Sequence, residues 1–249
     1  MKTRLDKLLL ARGLVMSRQR AQAMILAGSV LVDEQKIDKS GAAVDEHARI
    51  RVLCEELKYV SRGGLKLEKA LDHWQIDVSG KVCLDIGAST GGFTDCLLQH
   101  GAARVIAVDT GRGQIDSRLR QDSRVRLAEK TNARYLTAGQ LGEKVDVVVM
   151  DVSFISATLV LPAVIAAALP QAESDRQGWH IIVLVKPQFE VGRELVGKGG
   201  IVRDAAAQAA SVEKVRQALL GLGCSETEAI ESPILGAEGN REFLLHGRF

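Results

Sequence analysis

Apolar positions along this chain recur in two rhythms, and their order outlines a fold. Mostly apolar segments of strand length occupy residues 82–86, 104–108, 125–128, 145–150 and 179–185. Segments with helical spacing separate them: after Gly91, near 116–120, and over 155–169, which contains Pro162. Residues 204–220 form a clean amphipathic helix pattern that Gly221 or Gly223 stops. Residues 226–231 and 242–247 read as late strands. The spacing over 65–74 predicts a helix with Leu67, Ala70 and Leu71 inward and Lys66 near its start, where the backbone dipole disfavours a cation. Alternating strands and helices imply an α/β fold, a doubly wound, mostly parallel, Rossmann-like sheet covered on both faces.

Residues 1–60 have a different texture and read as a small α/β domain ahead of a larger one at 61–249, without a Pro- or Gly-rich linker. Leu5, Leu8, Leu9 and Leu14 suggest a short helix. Ser17 is the expected N-cap of a second helix, with Ala21, Met24 and Ile25 on one face and Gly28 as the stop. Short strands are expected at 30–32, 35–37 and 48–52.

The chemistry gathers around Val82-Cys83-Leu84-Asp85-Ile86-Gly87-Ala88-Ser89-Thr90-Gly91-Gly92-Phe93-Thr94. A strand, a glycine turn and a helix N-terminus make a site for a nucleotide-like ligand. Gly87 to Gly92 has the spacing of a phosphate loop, but Phe93 and Thr94 stand where Lys and Ser or Thr are required. Ala88-Ser89 breaks the dinucleotide fingerprint as well. There remain Asp85, Gly87, Ser89, Gly91 and Gly92, with a second acid, Asp109, closing the next strand, where acids commonly bind ribose hydroxyls. This set resembles motifs I and II of S-adenosylmethionine-dependent methyltransferases, whose cofactor has no phosphates for a lysine to meet. A purely structural strand-to-helix turn is the alternative.

Composition narrows the class. With 46% hydrophobic and 26% charged residues the 249-residue chain is an ordinary globular protein with a net charge of only +2. The distribution says more: residues 1–20 carry six lysines and arginines against Asp6 alone. Such a cluster suits a polyanion, or a solvated helix face. Cys54, Cys83, Cys96 and Cys224 form no C-x-x-C pair and have no histidine cluster beside them, so no zinc site is expected. Reduced thiols and the lack of a secretory signal pattern point to a cytoplasmic protein. The longest apolar segment, near 155–169, contains Pro162 and is shorter than the ~20 residues of a membrane span.

Ligands of parallel sheets bind at the C-terminal strand ends, and Asp85, Asp109, Asp151 and Lys186 all fall there. Asp151 and Lys186 form a structural ion pair at the rim, or a lysine that activates a hydroxyl.

Two resemblances sharpen this picture. Arg4-Leu5-Asp6, Ser17-Arg18, Ala21, Gly28, Val30 and Val32 resemble the S4-type RNA-binding domain. That likeness implies phosphate contacts from Arg4, Arg18 and Arg20, with Lys36 as a further candidate. Lys66, Asp151, Lys186 and Glu242 fall where the K-D-K-E tetrad of FtsJ-like RNA ribose methyltransferases falls. The runs 186–193, 197–204 and 239–244 resemble the TlyA-type subfamily, bacterial proteins called both haemolysins and ribosomal RNA methyltransferases. One departure is visible: Gly111-Arg112-Gly113-Gln114-Ile115-Asp116-Ser117 lacks the family's aromatics.

The resemblance implies transfer of a methyl group from S-adenosylmethionine to a ribose 2′-hydroxyl of ribosomal RNA, usually of cytidine, without a metal. Lys186 would lower the hydroxyl's pKa or take its proton, and Asp151 would orient Lys186. Lys66 and Glu242 would hold the ribose. Asp85 and the Gly87–Gly92 loop would hold the cofactor's methionine portion, Asp109 its ribose and Asn132 its adenine. The rival readings are a membrane-active haemolysin, a non-catalytic RNA-binding protein that senses the cofactor, and a pseudouridine synthase sharing the N-terminal domain.

Overall fold

The computed structural model describes residues 2–15, 18–26, 28–53, 58–170, 172, 176, 178–236 and 239–249. Ser17, Cys54 and the Arg20 side chain lie outside the described residues. The chain divides into two compact units, Met1–Leu57 and Lys58–Phe249.

In the first unit β1 (Lys2–Arg4), α1 (Leu5–Ala11), α2 (Arg18–Leu26), β2 (Val30–Val32), β3 (Gln35–Lys36), β4 (Ala43–Asp45) and β5 (Ile50–Val52) follow in order. Leu5, Leu8 and Leu9 of α1 meet Ala21, Met24 and Ile25 of α2, because three- and four-residue spacings put them on facing stripes. Gly28 ends the second helix at φ +68°, and a Cβ there would lie 1.8 Å from Lys36 Cε. β2 is the centre of a three-stranded sheet with β3 and β5, and β1 pairs with β4. The β1–β4 ribbon is an addition to the expected strands: Lys2–Arg4 is polar and Ala43–Asp45 carries one buried apolar residue, Val44, so neither shows the apolar run that marks Val30–Val32.

The second unit runs α3 (Gly63–Trp74), β6 (Val82–Ile86), α4 (Gly92–Gln99), β7 (Arg104–Val108), α5 (Ser117–Gln121), β8 (Val125–Ala128), α6 (Ala138–Leu141), β9 (Val147–Met150), α7 (Leu161–Ala168), β10 (His180–Val185), α8 (Pro187–Glu190), α9 (Ala205–Gly221), β11 (Glu226–Glu231) and β12 (Phe243–Arg248). Its seven strands order β11-β12-β10-β9-β6-β7-β8. The five from β6 to β10 are parallel, and β12 runs antiparallel between β10 and β11. Strand alternation splits the core in two layers. Leu84, Ile86, Val148 and Met150 pack under α7 and α9, while Cys83, Val147, Val149 and Leu184 pack under α3 and α4. β9 is buried throughout, which explains its unbroken apolar run.

One expected helix is shorter than its pattern. Of 155–169, only Leu161–Ala168 is α-helical. Ser156 caps a separate 3-10 turn at Ala157–Leu159, and Pro162 sits in the first turn of α7, where its missing N–H is no loss. At the other end of the unit Gly223, at φ +96°, takes the left-handed conformation after α9.

Candidate active site

The parallel strands place three loops side by side. β6 lies between β7 and β9, so the chain leaves it in opposite directions and opens a crevice at the C-terminal ends. Gly87, Asp109, Asp151 and Lys186 are the first residues beyond β6, β7, β9 and β10. The Asp151 amide donates to the Ile86 carbonyl at 2.8 Å. Gly87, at φ +86°, lets the two loops touch: a Cβ there would lie 2.3 Å from the Asp151 carbonyl oxygen.

The crevice has two lobes that share Gly87, Ser89, Asp151, Ser153 and Phe154. The first, about 440 Å³, is lined by all four of Lys66, Asp151, Lys186 and Glu242. They stand as two lysine–carboxylate pairs. Lys66 Nζ lies 2.5 Å from Glu242 Oε2, both nearly buried. Lys186 Nζ lies 2.5 Å from Asp151 Oδ1 and donates to Ser153 Oγ at 2.8 Å. Lys66 occupies the first turn of α3 despite the dipole because Glu242 supplies the compensating charge.

The second lobe, about 430 Å³, is lined by Asp109, Gln114, Thr131 and Asn132 among others, with no lysine or arginine among the described residues of its lining. The Asp109 carboxylate accepts from the Ser89 amide at 2.8 Å and the Gly111 amide at 2.6 Å, fastening the glycine turn to the loop after β7. Asn132 Oδ1 accepts from the Arg134 amide and starts a 3-10 turn at Ala133–Tyr135. The segment 111–117 contributes Gln114 to this wall.

Asp85 and Gly91 do not line either lobe. Asp85 shares the β6 face of Cys83, turned toward α4, and is fully buried. Thr94 Oγ1 donates to its Oδ2 at 2.6 Å, while Oδ1 has no hydrogen-bond partner among the described residues. Burial pushes the Asp85 carboxyl up to about 7, against the lowering effect of the Thr94 bond. Gly91 caps α4 at φ +96°, with a hypothetical Cβ 2.3 Å from Leu119 Cδ1. Gly92 does line the first lobe.

Several site residues escaped the sequence reading. Phe154, in left-handed backbone at φ +65°, is 91% exposed and leans on Phe189 with centroids 5.4 Å apart. Buried Glu190 ties the Phe154 loop to the turn after Lys186, accepting from Ser156 Oγ at 2.5 Å and the Ala157 amide at 2.7 Å. Lys214 of α9 neutralises it at 3.3 Å. Buried Asn240 accepts from the Val202 amide and donates to the Gly200 carbonyl, holding the turn before Glu242. The runs 186–193 and 239–244 contain Glu190 and Asn240, so motif membership was their one signal.

In the first unit Arg4 and Arg18 share one carboxylate. Asp6 is fully buried and accepts from Arg4 at 3.0 and 2.9 Å, from Arg18 at 2.9 Å and from Gln22 at 3.0 Å. Chiefly the Arg4 bonds hold its carboxyl well below the usual range. The arginine side chains stay about half exposed, 45% and 48%.

Comparison with known proteins places this geometry. Residues 59–249 match the family model of FtsJ-like methyltransferases, and residues 3–50 match the S4 domain. The chain is 45% identical over 245 residues to the 16S/23S rRNA (cytidine-2'-O)-methyltransferase TlyA of Mycobacterium tuberculosis, covering 98% of this chain and 89% of that protein. It is 41% identical to Hemolysin A of Brachyspira hyodysenteriae, covering 98% of each. A solved structure of a Streptococcus thermophilus protein superposes with a TM-score of 0.75 at 42% identity, covering 99% of this chain and 88% of that one. The chain therefore belongs to the FtsJ-like methyltransferase family, carrying an S4 domain ahead of its methyltransferase domain.

Proposed function

We propose that this protein methylates a ribose 2′-hydroxyl of ribosomal RNA, that of a cytidine, with S-adenosylmethionine as donor. The observation that carries this reading is the pair of lysine–carboxylate contacts in one lobe, joined to a second lobe through Gly87, Ser89, Asp151, Ser153 and Phe154. Carboxylate, amide and hydroxyl groups without a lysine or arginine suit a nucleoside cofactor that has no phosphates. Asp109 and Asn132 would hold its ribose and adenine, and the backbone at Gly87 and Ser89 its methionine portion. When bound, the cofactor supplies an electrophilic methyl group on a sulfonium.

The rest is done by this chain. A 2′-hydroxyl is a poor nucleophile, so the enzyme must align it and ease loss of its proton. Asp151 and Ser153 hold Lys186 at the lobe, where its ammonium stabilises negative charge growing on the oxygen as the hydroxyl proton is lost to water. Lys66, anchored by Glu242, bonds the ribose from the other side. Exposed Phe154 offers a ring on which the target base stacks. Arg4 and Arg18 bind phosphates, which positions RNA without reading its sequence.

Labelled methyl transfer to ribosomal RNA or ribosomal particles, mapped by 2′-O-methyl detection, tests the reading. Lys186→Ala is expected to abolish transfer and preserve cofactor affinity by calorimetry; a fully active variant overturns the assigned role. The lytic reading, raised by the name Hemolysin A, predicts liposome leakage unaffected by cofactor. Among the described residues no helix is long and apolar enough to cross a membrane.

A further inference from the structure

α8 has only four residues, yet it grips the loop after β9 on both sides of Phe154. Lys186, its N-cap, donates to Ser153 Oγ at 2.8 Å. Glu190, its last residue, accepts from Ser156 Oγ at 2.5 Å and from the Ala157 amide at 2.7 Å. Between the two grips Phe189 meets the Phe154 ring, centroids 5.4 Å apart. Phe154 is thus held before it, after it and against its ring, although the residue is 91% exposed. Its backbone, at φ +65°, is left-handed, a conformation that a bulky residue keeps only where its surroundings impose it.

Glu190 is not among the described residues that line either lobe. Its carboxylate is buried and takes its counter-charge from α9: Lys214 Nζ lies 3.3 Å from Oε2 and also donates to the Glu190 carbonyl at 2.7 Å. A buried ion pair adds little net stability over apolar side chains of the same volume. An apolar residue could fill this spot, but it would not select the Ser156 hydroxyl and the Ala157 amide together. What the carboxylate adds is one arrangement of the loop.

We infer that Glu190, balanced by Lys214, is a positioning residue that fixes the Phe154 ring in its exposed pose before RNA arrives. The role rests on the ribose-methylation reading above, in which the target base stacks on that ring. A ring fixed in advance spares the ordering cost that a mobile loop gives up on binding. One short helix carries both grips, so the same staple sets the ring, and the base upon it, relative to Lys186. A misplacement of about 1 Å that originates far from the chemistry can lower a rate by about a hundredfold.

A double-mutant cycle in kcat/KM tests the link. Glu190→Ala is expected to lower kcat/KM on ribosomal RNA by about tenfold in the wild-type background. In a Phe154→Ala background, where no ring remains to be placed, the same substitution should cost less than about twofold, the margin within which independent effects add. A purely structural Glu190 would lower the folded fraction by the same factor in both backgrounds. Lys214→Met keeps the carboxylate and its bonds to the loop. It should give the same pattern at smaller amplitude, and it serves if Glu190→Ala does not fold. If Phe154→Ala leaves no transfer to measure, fluorine NMR of protein labelled with para-fluorophenylalanine reads the link directly. Either variant should then move the Phe154 and Phe189 signals and leave that of Phe249, packed on Trp179, in place. Equal losses in the two backgrounds, a folded variant with no loss, or unmoved Phe154 and Phe189 signals overturn the inference and leave methylation standing. Absence of wild-type transfer to any ribosomal RNA overturns the methylation reading itself.

Discussion

Lys66 and Glu242 stand 176 residues apart in the chain and 2.5 Å apart in the fold. α3 delivers the lysine and the turn before β12 delivers the carboxylate, so the contact exists only when both ends of the second unit are assembled. Removing one partner of a buried pair leaves an uncompensated charge and costs about 3–5 kcal/mol. Glu242→Gln is therefore expected to lower the thermal midpoint by several degrees and to reduce methyl transfer. Thermal unfolding and transfer assays of the same preparation check both, and an unchanged midpoint would show that the pair does not stabilise the fold.

Gly87 sets the distance between the glycine turn and Asp151. Alanine there meets the Asp151 carbonyl at 2.3 Å and must hold φ near +86°. Both effects destabilise, together by more than about 1 kcal/mol. Gly87→Ala is expected to lose methyl transfer more steeply than stability, because the backbone that shifts is the one carrying Asp151. Comparing kcat with the denaturation midpoint tests this.

Asp85 gives a pH prediction with a definite sign. Its carboxyl is raised from 3.8 to about 7 in the folded protein, chiefly by burial. The native state thus keeps a proton that the unfolded chain loses, and this group's stabilisation falls as pH rises from about 4 to about 7. His180 acts oppositely, since burial lowers its imidazole from 6.5 to about 4, and its contribution is lost as pH falls through that window. The raw profile mixes the two. The difference between wild type and Asp85→Asn isolates the acid: the variant should gain on wild type steadily from about pH 4 to about pH 7, then hold level. A difference that is flat across the window would rule the assignment out.

Asp6 organises the basic face of the first unit. Arg18→Ala leaves Arg4 on Asp6 and withdraws one cation. RNA affinity should fall at all sequences alike, and the log–log salt slope should decrease by about 1. Asp6→Ala should weaken RNA binding as well, although it removes a negative charge, because the two guanidiniums lose their shared anchor. Tighter binding by Asp6→Ala would show that charge alone governs the face.

Much of this was legible before any coordinates. Among the runs that became β6 to β10, the unbroken apolar stretches of β9 and of Ile181–Val185 in β10 announce a parallel sheet, because strands buried on both faces are apolar throughout, whereas β8 at the sheet edge carries exposed Arg126. The glycine turn after β6 and the charges that close strands were visible as motifs. Less visible were features whose cause lies in neighbours. Pro162 reads as a break within a long helix until Ser156 is seen capping a separate turn. Asp85 reads as a crevice acid until strand alternation turns it toward Thr94.

Order of apolar and polar residues along the chain was sufficient for the layered architecture, because burial of apolar faces is a local demand that each segment states for itself. Recognisable runs also singled out Lys66, Asp151, Lys186 and Glu242, which the fold brings to one lobe. That Glu242 answers Lys66 and that Phe154 stands exposed at the crevice were decided by the assembled fold. Those relations depend on distances between segments far apart in the chain, and only the packing of the sheet sets such distances.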